Sequence, residues 1–392
     1  MTELLSAGGA LLDDAIDLRR RLHRHPELGL ELPKTQEAVL EALDGLPLTV
    51  QTGTTTTSVV ATLDGDRDGP TILLRGDMDA LPMPEDTGLE YASKVDGAMH
   101  ACGHDTHVAM LAGAATLLAD RRKDLAGRVV FMFQPGEEGF GGAKVMLDEG
   151  LLTGDRPPTA AFAIHQTPNM PSGIVAGKGG AQLASSDTLE VTIRGAGGHA
   201  SMAHLACDPV PIACEIVTAI QSMITRTVDV FDPAVVTVGK IRAGTTSNVI
   251  PETAYLLGTI RAVSERTRQK VWDNLRRLAD GIAAAHGATA EVTIGEGYPV
   301  TVNDDAWAER SLAVADRALG VGRSIKMPSP VMGAEDFSYV LNAVRGAMVF
   351  LGTGPAGVKH AAPNHSNRMV LDEGAMASGI ALYAAMALDH CS

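Results

Sequence analysis

The chain has 392 residues, 45% of them hydrophobic and 20% charged, with 42 glycines. That composition excludes a disordered or fibrous chain, and the length exceeds one ordinary core, so two domains are expected. With 32 basic against 47 acidic residues the net charge is −15, which argues against nucleic acid or an anionic membrane as a partner.

The opening Met1-Thr2-Glu3-Leu4 has no basic region, and Asp13-Asp14 break the apolar stretch, so no signal peptide is expected. No run reaches the ~18–20 apolar residues that span a bilayer. The four cysteines, at 102, 207, 214 and 391, form no disulfide framework and fit a reduced, cytoplasmic setting. Cys207 and Cys214 fall in an apolar helical run and are expected as buried small hydrophobes.

Residues 11–25 read as a helix, with Leu12, Ile16, Leu18 and Leu22 on one face and Arg19, Arg20, Arg21 and Arg24 on the other; Pro26 stops it. His23 and His25 are then expected at a solvated helix end. A second helix covers 34–44. Short β-like runs follow at 58–63 and 71–75, the second ending in Gly76-Asp77-Met78-Asp79. The apolar run 128–133 ends likewise in Gln134-Pro135-Gly136-Glu137-Glu138, and 160–164 delivers His165. Buried strands that end in polar groups are the pattern of an α/β sheet with its site at the carboxyl edge of the strands. Between them Met99-His100-Ala101-Cys102-Gly103-His104-Asp105-Thr106-His107 runs into an apolar helix beginning at Val108.

From about residue 180 the texture changes. Strands are expected at 188–194, 234–242, 252–262 and 289–295, with helices at 208–226 and 264–285. This β-α-β-β-α-β order is the ferredoxin-like split unit. The fold class expected is therefore α/β with two domains. A catalytic domain of residues 1–182 and 298–392 is interrupted by an inserted βαββαβ domain of residues 183–297. The last part carries a helix at 304–318, a strand at 347–351 and a closing helix at 372–388.

Thiolate and imidazole are ligands that a borderline-soft divalent metal prefers. Cys102, His104, Glu138, His165 and His365 make five protein donors, more than one closed tetrahedral site needs. Two divalent ions per chain suit that number, with Cys102 as the bridge. Thiolate favours zinc, while manganese, cobalt and nickel remain compatible. Successive side chains diverge, so Glu138 can bind metal while Glu137 faces a metal-activated water as general base and acid. Asp79 is expected to orient a ligand imidazole.

Together these stretches resemble the M20 metallopeptidase family, in the amidohydrolase branch that includes aminoacylases, hippurate hydrolases and indole-acetyl-amino-acid hydrolases. The resemblance spans nearly the whole chain. It is carried by Leu22-His23-Arg24-His25-Pro26-Glu27-Leu28-Gly29, Gly76-Asp77-Met78-Asp79-Ala80-Leu81-Pro82, the Cys102 and Glu137 motifs, Gly197-Gly198-His199-Ala200-Ser201, Asn248-Val249-Ile250-Pro251 and Gly333-Ala334-Glu335-Asp336-Phe337. It implies a dinuclear centre on Cys102, His104, Glu138, His165 and His365, with Glu137 as base and acid. It also implies a lid that dimerises, with His199 stabilising an oxyanion and Asn248 and Arg261 gripping the substrate carboxylate. Many members of the wider family carry histidine where Asp77 stands, so Asp77 is not counted a ligand. His100, His107 and Glu335 lie in matching motifs without an assigned role, and His360 is expected at the surface.

The activity implied is hydrolysis of an N-acyl-L-amino acid to a carboxylic acid and a free amino acid. Deacetylation of an N-acetyl-diamino acid, or dipeptidase or carboxypeptidase action, is the alternative within the family. A catalytically dead binder of acylated amino acids is a third reading; it would be expected to have lost the base or a ligand, and Glu137 and all five donors are present.

Overall fold

The computed structural model describes residues 2–358 and 360–392. The chain forms two compact units: Met1–Gln182 with Val302–Ser329 and Asp336–Ser392, and Leu183–Thr301 with Pro330–Glu335. The Pro330–Glu335 segment was not legible as part of the second unit. It joins through backbone bonds from Ala184 N to Val331 O (3.1 Å) and Gly333 O (2.9 Å), which leave no hydrophobic period in the sequence.

The first unit is built on an eight-stranded mixed sheet. Four neighbouring strands, Ala126–Gln134, Arg67–Asp77, Ala160–Pro171 and Gly346–Gly354, run parallel. Val59–Asp64 flanks them antiparallel on one side and Val175–Gly177 on the other. Residues 71–77 and 129–134 are buried throughout, as strands covered on both faces must be. The helix Met376–His390 is almost wholly buried and packs on the helix His104–Asp120. Its Tyr383 hydroxyl donates to Arg75 O (2.6 Å) and accepts from Ile164 N (3.1 Å), which satisfies a buried polar group and ties the helix to two central strands.

Register aligns Asp77 with Gln134 and His165 with Phe350, so the carboxyl edge of the parallel strands carries the polar groups. Two details differ from the sequence reading. The helix starts at His104, ahead of its apolar run. His165 lies inside its strand rather than at the end, because Thr167 and Pro171 go on pairing with Gly352 and Gly354.

Helix Leu12–Arg24 buries Ala15, Arg19, Leu22 and His23. Arg19 and His23 are each 1% exposed, which corrects the expectation of a solvated helix end for His23. The burial is possible because the charges are paired: Arg19 Nε lies 3.0 Å from Asp105 Oδ2, and His23 lies 2.8 Å from the same oxygen and 3.3 Å from Glu85 Oε1.

In the second unit the antiparallel sheet runs Ala234–Ala243, Thr253–Ala262, Asp187–Arg194, Thr289–Gly295, the ferredoxin-like strand order. Helices Pro209–Thr227 and Glu265–Ala285 supply its core with Ile212, Ile216, Ile220, Val271 and Leu275. That helical stripe leaves Cys214 on the opposite, exposed face, and Cys207 precedes the helix and is only half-buried; neither is the buried hydrophobe expected. Among the described residues no helix is long and apolar enough to cross a membrane.

Candidate metal centre

Cys102 and His104 straddle Gly103, which adopts φ +79 immediately before the helix. A Cβ there would meet Gln166 Nε2 at 2.5 Å, so only glycine turns the chain tightly enough to bring thiol and imidazole to one side. His104 Nδ1 donates to Asp79 O at 2.8 Å, so that in the neutral ring Nε2 is the lone pair. His165 is fixed the same way: Nδ1 donates to Gln166 O at 2.6 Å and Nε2 faces Cys102 Sγ at 3.5 Å. A ligand histidine with its other nitrogen tied to a carbonyl is the arrangement metal sites use.

The second turn, Gln134 to Gly139, passes through Gly136 at φ +72. Asp79 holds this turn: Oδ1 accepts Glu137 N and Oδ2 accepts Glu138 N, each at 2.9 Å. The carboxylate of Asp79 therefore presents the two glutamates, whereas its backbone carbonyl orients His104. The carboxylate also stands 3.6 Å from the same His104 Nδ1 through Oδ1, so Asp79 faces the imidazole with both groups. His365 arrives from a loop in the left-handed region (φ +66), its N–H bonded to Ala101 O at 2.8 Å. A non-glycine residue there is strained, and the strain is localised where a ring must meet Glu138, whose Oε1 lies 3.3 Å from His365 Nε2.

The result is two sets of three donors that share one atom. Cys102, His104 and His165 form the first, and Cys102, Glu138 and His365 the second; within each set the donor atoms lie within 4.8 Å of one another. Glu137 is 6% exposed, with Oε2 3.9 Å from His104 Nε2. His104 Nε2 is buried without a hydrogen-bond partner, with Asp77 Oδ2 3.5 Å away, a cost that a bound cation would offset.

The two imidazoles of the first set differ: burial opposes charge on His104, but Asp77 and then Cys102 outweigh it and raise its proton affinity well above the usual range, so an ion binding there displaces a proton. Burial and the neighbouring His107 hold the His165 imidazole well below its usual range, in the neutral form that ligates. Cys102 and Glu138 push His365 up to about 10, so the second set attracts positive charge. Burial pushes the Cys102 thiol up, and a bound divalent ion would reverse that by favouring thiolate. The residues fit a pair of divalent ions.

Gln166 was not singled out from the sequence. It is fully buried and donates Nε2 to Cys102 O (2.6 Å) and Asn364 Oδ1 (2.9 Å), and its Oε1 accepts from Thr353 (2.7 Å). It thus ties the segments bearing Cys102, His165 and His365. Its position directly after His165 was the available signal. His107 is buried against Asp77, and His100 is buried with burial holding its ring at about 3. Glu335 is buried and His360 exposed.

The remaining expected residues belong to the second unit. His199 and Val249 pair in a short ribbon, and Ala200 N bonds Asn248 O at 3.1 Å, so His199 and Asn248 are neighbours. His199 Nδ1 accepts the Ser201 backbone N–H at 3.2 Å; an amide only donates, so a neutral ring carries its proton on Nε2. Arg261 is half-buried on strand Thr253–Ala262, and burial lowers its proton affinity.

The model of peptidase family M20/M25/M40 matches residues 73–389. Thermostable carboxypeptidase 1 of Saccharolobus solfataricus is 39% identical over 96% of this chain and 95% of its own. N-acetylcysteine deacetylase of Bacillus subtilis is 40% identical over 86% and 88%. The crystal structure of the YXEP protein of Bacillus subtilis, a dinuclear metal binding peptidase from the M20 family, superposes with a TM-score of 0.84 at 35% identity, covering 97% of this chain and 99% of that one.

Proposed function

The chain belongs to peptidase family M20/M25/M40, a hydrolase of amide bonds, and from that premise we propose that it cleaves N-acyl-L-amino acids to a carboxylic acid and a free amino acid. The observation that supports this most is the pair of donor sets sharing Cys102, with Glu137 beside them.

Two divalent ions, zinc or else manganese, cobalt or nickel, would be held by Cys102, His104, Glu138, His165 and His365. When bound they lower the pKa of water and polarise the amide carbonyl. Glu137 takes the proton of the attacking water and returns it to the leaving nitrogen, so that the amine departs neutral. His199, with its proton on Nε2, is a donor for the developing oxyanion. Asn248 and Arg261 hold the amino-acid carboxylate, the guanidinium through two parallel hydrogen bonds.

With only 4% of its residues aromatic, the chain favours a compact aliphatic acyl group over benzoyl or indole-acetyl. The deacetylase among its relatives supports the same reading, and the carboxypeptidase supports peptide cleavage as the alternative. A homodimer through the second unit and a cytoplasmic setting complete the proposal.

The test is release of free amino acid from N-acetyl, N-benzoyl, indole-acetyl and dipeptide substrates by chelator-stripped protein, before and after adding each metal. Metal-restored release, fastest on N-acetyl substrates, is expected. Turnover confined to dipeptides would overturn the aminoacylase reading in favour of peptidase action.

A further inference from the structure

We infer that His107 is a positioning residue of the metal centre: its ring, locked in one tautomer between Asp77 and Gln166, sets the attitude of the His104 and His165 imidazoles. The inference rests on reading His104 and His165 as ligands.

His107 is fully buried on the first turns of helix His104–Asp120, three residues beyond His104 and so on the same face. Its Nε2 accepts the backbone N–H of Gln166 at 2.8 Å. Because an amide can only donate, that nitrogen is the lone pair, and the ring proton sits on Nδ1, donated to Asp77 Oδ1 at 2.5 Å. No nitrogen of His107 is left for a metal. By distance alone Asp77, His104 and His107 would also qualify as a donor set; the hydrogen bonds remove His107 from it.

Asp77 is itself immobilised. Arg75 Nη1 lies 2.7 Å from its Oδ2, while Arg75 Nε donates to Gln134 Oε1 at 2.8 Å and Nη2 to Asp336 Oδ1 at 3.1 Å. Asp336 also accepts Ala143 N at 2.9 Å. The acceptor that fixes His107 is thus anchored to two strands and a helix.

The ring so fixed touches both ligands. Its centroid is 4.7 Å from His165, edge-on at 68°, and 5.4 Å from His104, stacked at 30°. It also bonds the peptide that follows His165. One imidazole therefore wedges the helix bearing His104 against the strand bearing His165. A metal constellation needs its ligands held within roughly 0.5 Å and 10–20°, and no other ring among the described residues packs against both.

The experiment uses the full chain, stripped by chelator and titrated with cobalt(II). It reads affinity by chelator competition, the visible ligand-field spectrum at saturation, and the melting temperature of the metal-free protein. His107→Phe keeps a ring in the space and removes both hydrogen bonds; His107→Gln restores an acceptor for the Gln166 amide. His107→Phe is expected to bind cobalt with wild-type stoichiometry, about 10–100-fold more weakly and with a shifted spectrum, and His107→Gln to recover part of the affinity. Wild-type affinity and spectrum in both variants, with only a lower metal-free melting temperature, would show a merely structural role. Loss of one cobalt equivalent at saturation would make His107 a ligand and overturn the inference. Should His107→Phe fail to fold, His107→Gln alone decides on the same readouts. Wild-type protein that takes up no cobalt removes the reading of the centre and this inference with it; wild-type uptake with indifferent variants removes this inference alone.

Discussion

Asp79 Oδ1 accepts the backbone N–H of Glu137 at 2.9 Å, and its partner oxygen does the same for Glu138. The carboxylate works on the turn that presents Glu137. Asp79→Asn places an amide donor against one of two backbone donors, so the turn must shift. The expected result is a kcat about 10–100-fold lower with metal content retained, as for other supports of a metal site. Unchanged kcat would show that the turn holds itself.

Glu137 and Cys102 should fail in different ways. Glu137→Gln keeps a side chain of the same shape but cannot accept a proton, so metal is retained while kcat falls roughly 10²–10⁴-fold. Cys102 is the atom common to both donor sets. Cys102→Ala should therefore lower occupancy of both ions together. Metal analysis beside steady-state rates separates the two, and loss of one ion only from Cys102→Ala would refute the bridge.

What could be read beforehand follows from where the chemistry lies. The parallel strands announce themselves because burial on both faces forces unbroken apolar runs, and the donors fall within or just beyond those runs at Glu138 and His165. Gln166, Asp77 and His107 could not be placed, because their work is done by hydrogen bonds across the sheet, with partners such as Thr353 and Asn364 far away in sequence. His23 reads as solvated for the same reason. Its burial depends on Asp105 and Glu85, 82 and 62 residues away, and no local pattern encodes that pairing.

Strand Ala234–Ala243 lies at the edge of the second sheet and exposes Val235 (46%) and Ile241 (52%). An unprotected edge with apolar side chains is a ready surface for another strand, and a symmetric pairing would meet each residue twice. Sedimentation should give twice the 40.8 kDa chain mass, and Ile241→Lys should give the single-chain mass. A wild-type chain that sediments alone would refute the dimer.

His23 should make stability depend on pH. Its ring is buried between Asp105 on one nitrogen and Glu85 on the other, with Arg19, Tyr91 and His100 as its further neighbours. Burial opposes its charge, but Asp105 and then Glu85 outweigh burial and raise its proton affinity above the usual range. A histidine whose folded pKa is raised contributes stability that is complete below its unfolded value near ~6.5 and is lost as pH rises through the folded value. Urea denaturation of the wild type between about pH 6 and pH 9 should therefore show stability falling towards the alkaline end. His23→Gln leaves a buried carboxylate short of a donor, so it should cost roughly 1–3 kcal/mol near pH 6 and less as pH rises. The difference between the two proteins isolates the histidine from every other titrating group. A difference that stays constant, or grows, across this range would show that the ring is neutral when folded.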